Sequence, residues 1–255
     1  MAFVLALAGK GGTGKTSIAG LAVRYLMERT KKPVLAVDAD SNACLHEALG
    51  VEVHATIGHL REESLQRIRS GGERPGGMSM EQLFDYQVQQ SIIEAKGFDL
   101  MVMGRPEGPG CYCAANNIIR KYTDKLSETY AYVVIDNEAG MEHLSRRTTH
   151  KVDLLIIVSD PTVRGIRTAQ RIAGLVKELD LEIDRHALVI NRVAGEEGPE
   201  LKGFAKELGL EVAGLVPQDR LVFENDLQGK AIIELPADSP AVKAVYDIFD
   251  SFRIG

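Results

Sequence analysis

The sequence predicts an α/β fold, a doubly wound and mostly parallel sheet flanked by helices, and three observations predict it. Short apolar runs recur from end to end of the 255 residues. Most are separated by longer stretches with helical periodicity. The runs are continuously apolar rather than alternating, which is what strands need when helices cover both faces of their sheet. A chain of this length can bury one substantial core. With 45% hydrophobic and 26% charged residues, the expectation is one domain spanning 1–255.

The expected strands are Phe3–Ala8, Pro33–Val37, Leu100–Met103, Tyr132–Ile135, Leu154–Val158, Ala187–Ile190 and Val212–Val216. The opening "MAFVLALAG" is read as the first of them, because it has no basic leader and runs into Gly9-Lys10 rather than a small-residue cleavage site. Helical spacing covers Thr16–Arg29, Met80–Ala95, Ala114–Glu128, Val163–Leu179 and Pro199–Leu208. "GGERPGG", Gly71 to Gly77, is the one clear breaker cluster and reads as a loop. The closing "SPAVKAVYDIFDSFRIG" has the pattern of an amphipathic helix without the Lys/Arg-rich face that holds a helix on anionic lipid, so it is expected to pack on the core.

Charge and composition exclude several classes. A net charge of −6 with no cluster of Lys and Arg disfavours a broad nucleic-acid face. No apolar run approaches the roughly 20 residues that cross a bilayer. Three cysteines are too few, and odd in number, for a secreted disulfide framework. The expectation is a cytoplasmic protein with neither a nucleic-acid nor a membrane partner.

"GKGGTGKT", Gly9 to Thr16, satisfies G-x-x-x-x-G-K-[ST] between a strand and a helix, the context that makes the pattern a phosphate loop. Gly11, Gly12, Thr13 and Gly14 are small enough for successive backbone N–H groups to curl around phosphates, and the helix N-terminus adds favourable partial charge. Lys15 would reach the β- and γ-phosphates, Thr16 would offer its hydroxyl to Mg2+, and Ser17 would contact the α-phosphate. Lys10 is a second cation in the loop; it either faces solvent or reaches a phosphate that Lys15 does not neutralise. "VLAVDAD" ends a strand with Asp38 and Asp40, two carboxylates suited to orienting an attacking water and holding Mg2+ through its water shell. "YVVIDNEAGMEH" ends another with Asp136; Glu138 and Glu142 there have helix capping as an alternative. "LVINR" and "VPQD" leave Asn191, Arg192, Pro217 and Asp219 just beyond strands. Ligands of open α/β sheets bind outside the carboxyl ends of strands, so these positions share one rim. For Asp219 a helix cap is an equal alternative.

"GPGCYCAANN" places Cys111 and Cys113 at the start of a helix near the same rim. A helix N-terminus, with Arg105 or Arg120 nearby, favours the thiolates that metals need. Two thiolates make half of a tetrahedral site, and a two-fold dimer axis would supply the other half. The alternative is a pair of buried small residues. Cys44 stands at an apolar helical position and is expected in the core, and His46, His54 and His59 form no convincing metal motif.

G-K-G-G-x-G-K-T resembles the deviant Walker A motif of the MinD/ParA/nitrogenase iron-protein class of P-loop ATPases. That resemblance implies ATP and ADP as ligands with Mg2+, and a nucleotide-sandwich homodimer in which Lys10 crosses to the partner's nucleotide. It further implies that Asp40 positions the hydrolytic water, that Asp136 is the Walker B acid, and that Asn191 hydrogen-bonds adenine with Pro217 and Asp219 flanking the base. The succession GKGGTGKT, VDADSNACL, GPGCYCAANNIIR and IDNEAGMEHLSRRT resembles the CooC/AcsF group. Thr13, Ser17 and Ser41 depart from residues frequent in that group, but none removes a proposed ligand. This second resemblance implies ATP-driven nickel insertion, with carbon monoxide dehydrogenase or acetyl-CoA synthase as client and Ni2+ shared by Cys111 and Cys113 across the dimer, a site Zn2+ also suits. Two rivals stay open: a MinD- or ParA-like spatial organiser, and a nucleotide-dependent iron–sulfur carrier or reductase.

Overall fold

Leu5 and Leu7 leave β1 (Phe3–Gly9) on one face, and Val4, Ala6 and Ala8 leave it on the other. Both sets are buried in separate apolar clusters, which is why the strand reads as continuously apolar. The same division runs through β2 (Val34–Ala39), β4 (Phe98–Val102), β5 (Tyr132–Asn137), β6 (Lys151–Ser159) and β7 (Glu182–Val193). The computed structural model describes residues 2–70, 77–105, 112–139, 151–178 and 182–254.

With β3 (Ile93–Glu94) and β8 (Val212–Pro217), the strands form one eight-stranded sheet in the order β3-β4-β2-β5-β1-β6-β7-β8. Every pairing is parallel except β3 with β4. On one face lie α1 (Lys15–Thr30), α2 (Leu45–Leu49), a 3-10 turn (Ile232–Glu234) and α9 (Pro240–Ser251), which contribute Leu21, Leu49, Ile232 and Phe249 to the first cluster. The other face carries α3 (Ile57–Arg69), α4 (Met80–Ser91), α5 (Tyr112–Leu126), α6 (Val163–Glu178) and α7 (Gly198–Glu207), with Leu60, Val88, Ile119, Ile172 and Leu201 in the second. A short α8 (Arg220–Leu227) has no buried residue. The doubly wound, mostly parallel sheet expected from the sequence is the observed fold.

Three local expectations are corrected. The helix read as Met80–Ala95 starts at a capping box between Ser79 and Gln82 but stops at Ser91. The β-branched Ile92 and Ile93 leave it, and Ile93 and Glu94 turn back through Gly97, at φ +94°, to pair with Leu100 and Asp99. Helix α3 was not expected, because its charged sequence IGHLREESLQRIR shows only a thin apolar stripe. Strand β7 begins five residues before the expected Ala187, its first half being the polar EIDRH. Of the breaker cluster, residues 71–76 lie outside the described residues, as do Leu179 and Glu142.

Candidate functional site

Strand β1 lies between β5 and β6, so the turn leaving its carboxyl end is flanked by the ends of both neighbours. Residues 10–14 make that turn and α1 begins at Lys15. A Cβ on Gly14, which has φ +88°, would stand 2.3 Å from Asn191 Nδ2, so only glycine fits there. Two of the loop's carbonyls are held from outside and one from within: Asn191 Nδ2 donates to Thr13 O at 2.8 Å, Arg192 Nη1 to Gly12 O at 3.0 Å and Thr13 Oγ1 to Lys10 O at 2.9 Å. A loop whose carbonyls are engaged in this way has its N–H groups available for an anion. Gly11 and Gly12 are exposed at its tip.

The two loop lysines differ. Lys10 is exposed. Lys15 is buried, and its Nζ crosses the loop to Lys10 O at 3.4 Å. Burial lowers its pKa, against the opposing influence of Asp136, Asp40 and Glu138. Beneath it, Asp38 of β2 and Asp136 of β5 are register partners on adjacent strands, at 0% and 2% exposure. Burial drives the Asp136 pKa up to about 6 against the Thr16 hydroxyl and Lys15, and drives Asp38 up to about 7, with Asp136 and Asp40 adding like-charge repulsion. Asp136 Oδ1 is buried without a hydrogen-bond partner among the described residues.

A buried carboxylate with an oxygen unused among the described residues, beside a hydroxyl, is a hard-oxygen donor pair of the kind Mg2+ takes. The residues present therefore fit the cation that the phosphate loop implies. Thr16 and Asp136 are the side chains placed to hold it. Asp40 is half-buried at the mouth, with its Oδ1 accepting from Asn42 N at 2.8 Å and Asn42 Nδ2 at 3.0 Å. Ser41 Oγ donates to Glu138 Oε1 at 3.1 Å and so ties the segment after β2 to the end of β5, a bridge across 97 residues that no local pattern announces.

A cavity of about 1140 Å3 opens beyond the loop, lined by Thr16, Ser17, Asn191, Pro217 and Asp219, and by the unexpected Gln218 and His46. Asn191 is buried and serves the loop, and its Oδ1 accepts from Arg192 N at 2.9 Å. Arg192 takes a left-handed φ of +59° where the β7–β8 register is irregular, which turns its side chain back onto Gly12. Asp219 is a cap. Its Oδ1 accepts from Leu221 N at 2.9 Å, and its Oδ2 from Ser239 Oγ at 2.5 Å and Ala241 N at 3.1 Å, fastening the starts of α8 and α9 together. Burial pushes its pKa up, but these three bonds outweigh burial and the net shift is downward.

Cys44, expected in the core, is exposed; Leu45 and Leu49 take the buried positions of α2, one residue out of step with it. His59 is exposed and pairs with Glu63 at 3.1 Å. Cys111 lies outside the described residues, and Cys113 falls in the first turn of α5. Among the described residues no cluster of His, Cys, Asp or Glu forms a metal site, and no helix is long and apolar enough to cross a membrane.

Residues 4–232 match the family described as the CobQ/CobB/MinD/ParA nucleotide binding domain. An uncharacterized ATP-binding protein of Methanocaldococcus jannaschii is 42% identical over 245 residues, 96% of each chain. The carbon monoxide dehydrogenase accessory protein CooC of Rhodospirillum rubrum is 31% identical over 249 residues, covering 94% of this chain and 91% of its own. Among solved structures, the Pyrococcus horikoshii septum site-determining protein MinD, complexed with Mg-ADP, aligns with a TM-score of 0.70 at 19% identity over 99% of this chain and 96% of its own. A Chlorobium tepidum ParA family ATPase aligns at 0.72 and 20% identity over 96% of both chains. The fold is shared with these structures, and the chain belongs to the CobQ/CobB/MinD/ParA family of ATP-binding P-loop proteins.

Proposed function

We propose that this chain is an ATPase that works as a homodimer and inserts nickel into carbon monoxide dehydrogenase or acetyl-CoA synthase. The observation that carries the ATPase reading is Asp136 Oδ1, unpartnered among the described residues, beside Thr16 and the buried Lys15, a half-built cation and phosphate site under the loop. In this reading loop amides and Lys15 hold the triphosphate, and Asp40 aligns a water with the γ-phosphorus. The water oxygen bonds to phosphorus as the bond to the β-phosphate oxygen breaks, giving ADP and phosphate, with the water proton passing to the phosphate product or solvent. Mg2+, when held by Thr16 and Asp136, neutralises charge developing on the phosphate oxygens. The exposed Lys10 reaches the nucleotide of the second subunit.

Nickel is cargo. The 31% identity to CooC over nearly the whole chain and the Cys-Tyr-Cys sequence support a thiolate pair, Cys111 and Cys113, completed by its copy across the two-fold axis. Zn2+ would fill the same tetrahedral thiolate set readily. Phosphate release by the purified chain, together with equilibrium dialysis of Ni2+ into parent and Cys111→Ala/Cys113→Ala proteins, tests both halves. Turnover is expected, with metal stoichiometry falling to background in the double variant; equal stoichiometry would remove the cysteines from the function. ATP-dependent pelleting with liposomes or DNA would instead move the reading to a spatial organiser.

A further inference from the structure

Asp38 is completely buried, yet both its carboxylate oxygens are engaged by backbone. Oδ2 accepts from Leu45 N at 2.8 Å and Oδ1 from Asp40 N at 3.1 Å, while its own carbonyl accepts from Met103 N at 2.8 Å. Leu45 is the first residue of α2, whose N-cap, Cys44, gives no side-chain cap. A carboxylate from β2 caps the helix in its place. Between these anchors the chain passes through Ala43 at φ +52°, and Asp40 tightens the turn through its bonds from Asn42. Asp136, directly across the register, keeps an oxygen unpartnered among the described residues. Helix α2 in turn carries His46 and Glu47 into the wall of the cavity that Asn191 and Pro217 also line.

We propose that Asp38 is a positioning residue rather than a holder of magnesium: it fixes the 40–44 loop and the first turn of α2 as one body, so that Asp40 at the phosphate end and the His46/Glu47 wall are set together. The assignment rests on the ATPase reading above. It departs from the expectation that Asp38 supports Mg2+, because each of its oxygens already accepts a backbone N–H, from Asp40 or Leu45, within a fully buried side chain.

The test compares parent, Asp38→Asn and Asp136→Asn for kcat, for KM with ATP and with GTP, and for the Mg2+ concentration giving half-maximal rate. Asparagine keeps the size but offers one acceptor oxygen, so one of the two anchors is lost. Asp38→Asn is expected to lose about tenfold or more in kcat through misplacement of Asp40, with the GTP-to-ATP ratio of KM falling toward one. Its Mg2+ half-saturation stays within about twofold of parent, whereas that of Asp136→Asn rises about tenfold. ATP binding without Mg2+ confirms that Asp38→Asn is folded. If it is not, Ala43→Gly, which loosens the loop at a φ glycine tolerates and leaves every carboxylate in place, is expected to give the same split at about threefold. The proposal is overturned if Asp38→Asn shifts the Mg2+ requirement as Asp136→Asn does and recovers at high Mg2+. It is equally overturned if kcat and the KM ratio stay at parent values in the folded variant. A parent that hydrolyses no ATP defeats the ATPase reading itself, a failure distinguishable from both.

Discussion

The phosphate end of the crevice holds unfavourable electrostatics, whereas the base end is largely satisfied before any ligand arrives. Under the loop, burial lowers the Lys15 pKa and raises those of Asp136 and Asp38, and one Asp136 oxygen has no partner among the described residues. At the other end both polar atoms of the Asn191 amide are used, and Asp219 accepts three hydrogen bonds; His46 Nδ1 is the exception, buried without a partner among the described residues. The difference assigns the ends different work. In the proposed reading a charged ligand and its cation would relieve the first, and binding and chemistry would draw their energy there. The second is scaffold, in which side chains on β7 and just beyond β8 fix loop and helices in position.

The contrast predicts its largest effect at Lys15. Lys15→Ala removes the only buried cation among the described residues and leaves Asp136 and Asp38 in an unrelieved acidic pocket. ATP turnover should fall by about 10²–10³-fold in a phosphate-release assay. Retained turnover would show that the phosphate end is not where charge is stabilised.

A second test uses pH. The folded pKa values of Asp136, about 6, and Asp38, about 7, lie above the ordinary carboxylate value of about 3.9. Between those limits the folded chain binds more protons than the unfolded one, so stability present at low pH is lost as pH rises through the window. Replacing Asp136 by Asn removes its share of that loss. The nucleotide-free Asp136→Asn protein should melt above its parent by on the order of 5 °C at pH 8, with the gap closing as pH falls toward about 4. A gap independent of pH would mean that Asp136 is ionised without penalty, and the contrast between the two ends would shrink accordingly.

Legibility in the sequence follows the same divide. The phosphate loop was readable because its requirements are local: glycines, lysine and threonine in one run between a strand and a helix. Asp38, Asp40 and Asp136 were readable as acids at strand ends, and the parallel sheet as apolar runs. What Asp38 does was hidden, because Asp40 N and Leu45 N are backbone donors and carry no residue identity. The Asn191 bond to Thr13 spans 178 residues, and the positive φ of Arg192 is unusual for arginine, so neither leaves a local trace. Cys44 misleads for a simpler reason: in a five-residue helix an offset of one position exchanges core for solvent.

At the base end the effects should be smaller and of another kind. Asn191→Ala frees the Thr13 carbonyl and leaves it without its donor, a loss of about 1–3 kcal/mol. That should appear as roughly a tenfold rise in KM for ATP with a lesser change in kcat, since the loop is loosened but Lys15 remains. An equal loss in kcat would extend the chemistry into the base end.

Asp219→Ala should do least to catalysis. The substitution removes the cap of α8 and the acceptor that Ser239 Oγ and Ala241 N share at the start of α9. Loss of a cap costs about 1–2 kcal/mol, which in a chain of this size lowers Tm by roughly 2–8 °C. Because α8 and the adjoining segment border the cavity, a rise in KM of about twofold should accompany the lowered Tm, as a consequence of looser packing. If instead Tm stays at the parent value while ATP affinity drops tenfold, the carboxylate touches the base directly, and the base end binds its ligand through charge as the phosphate end does.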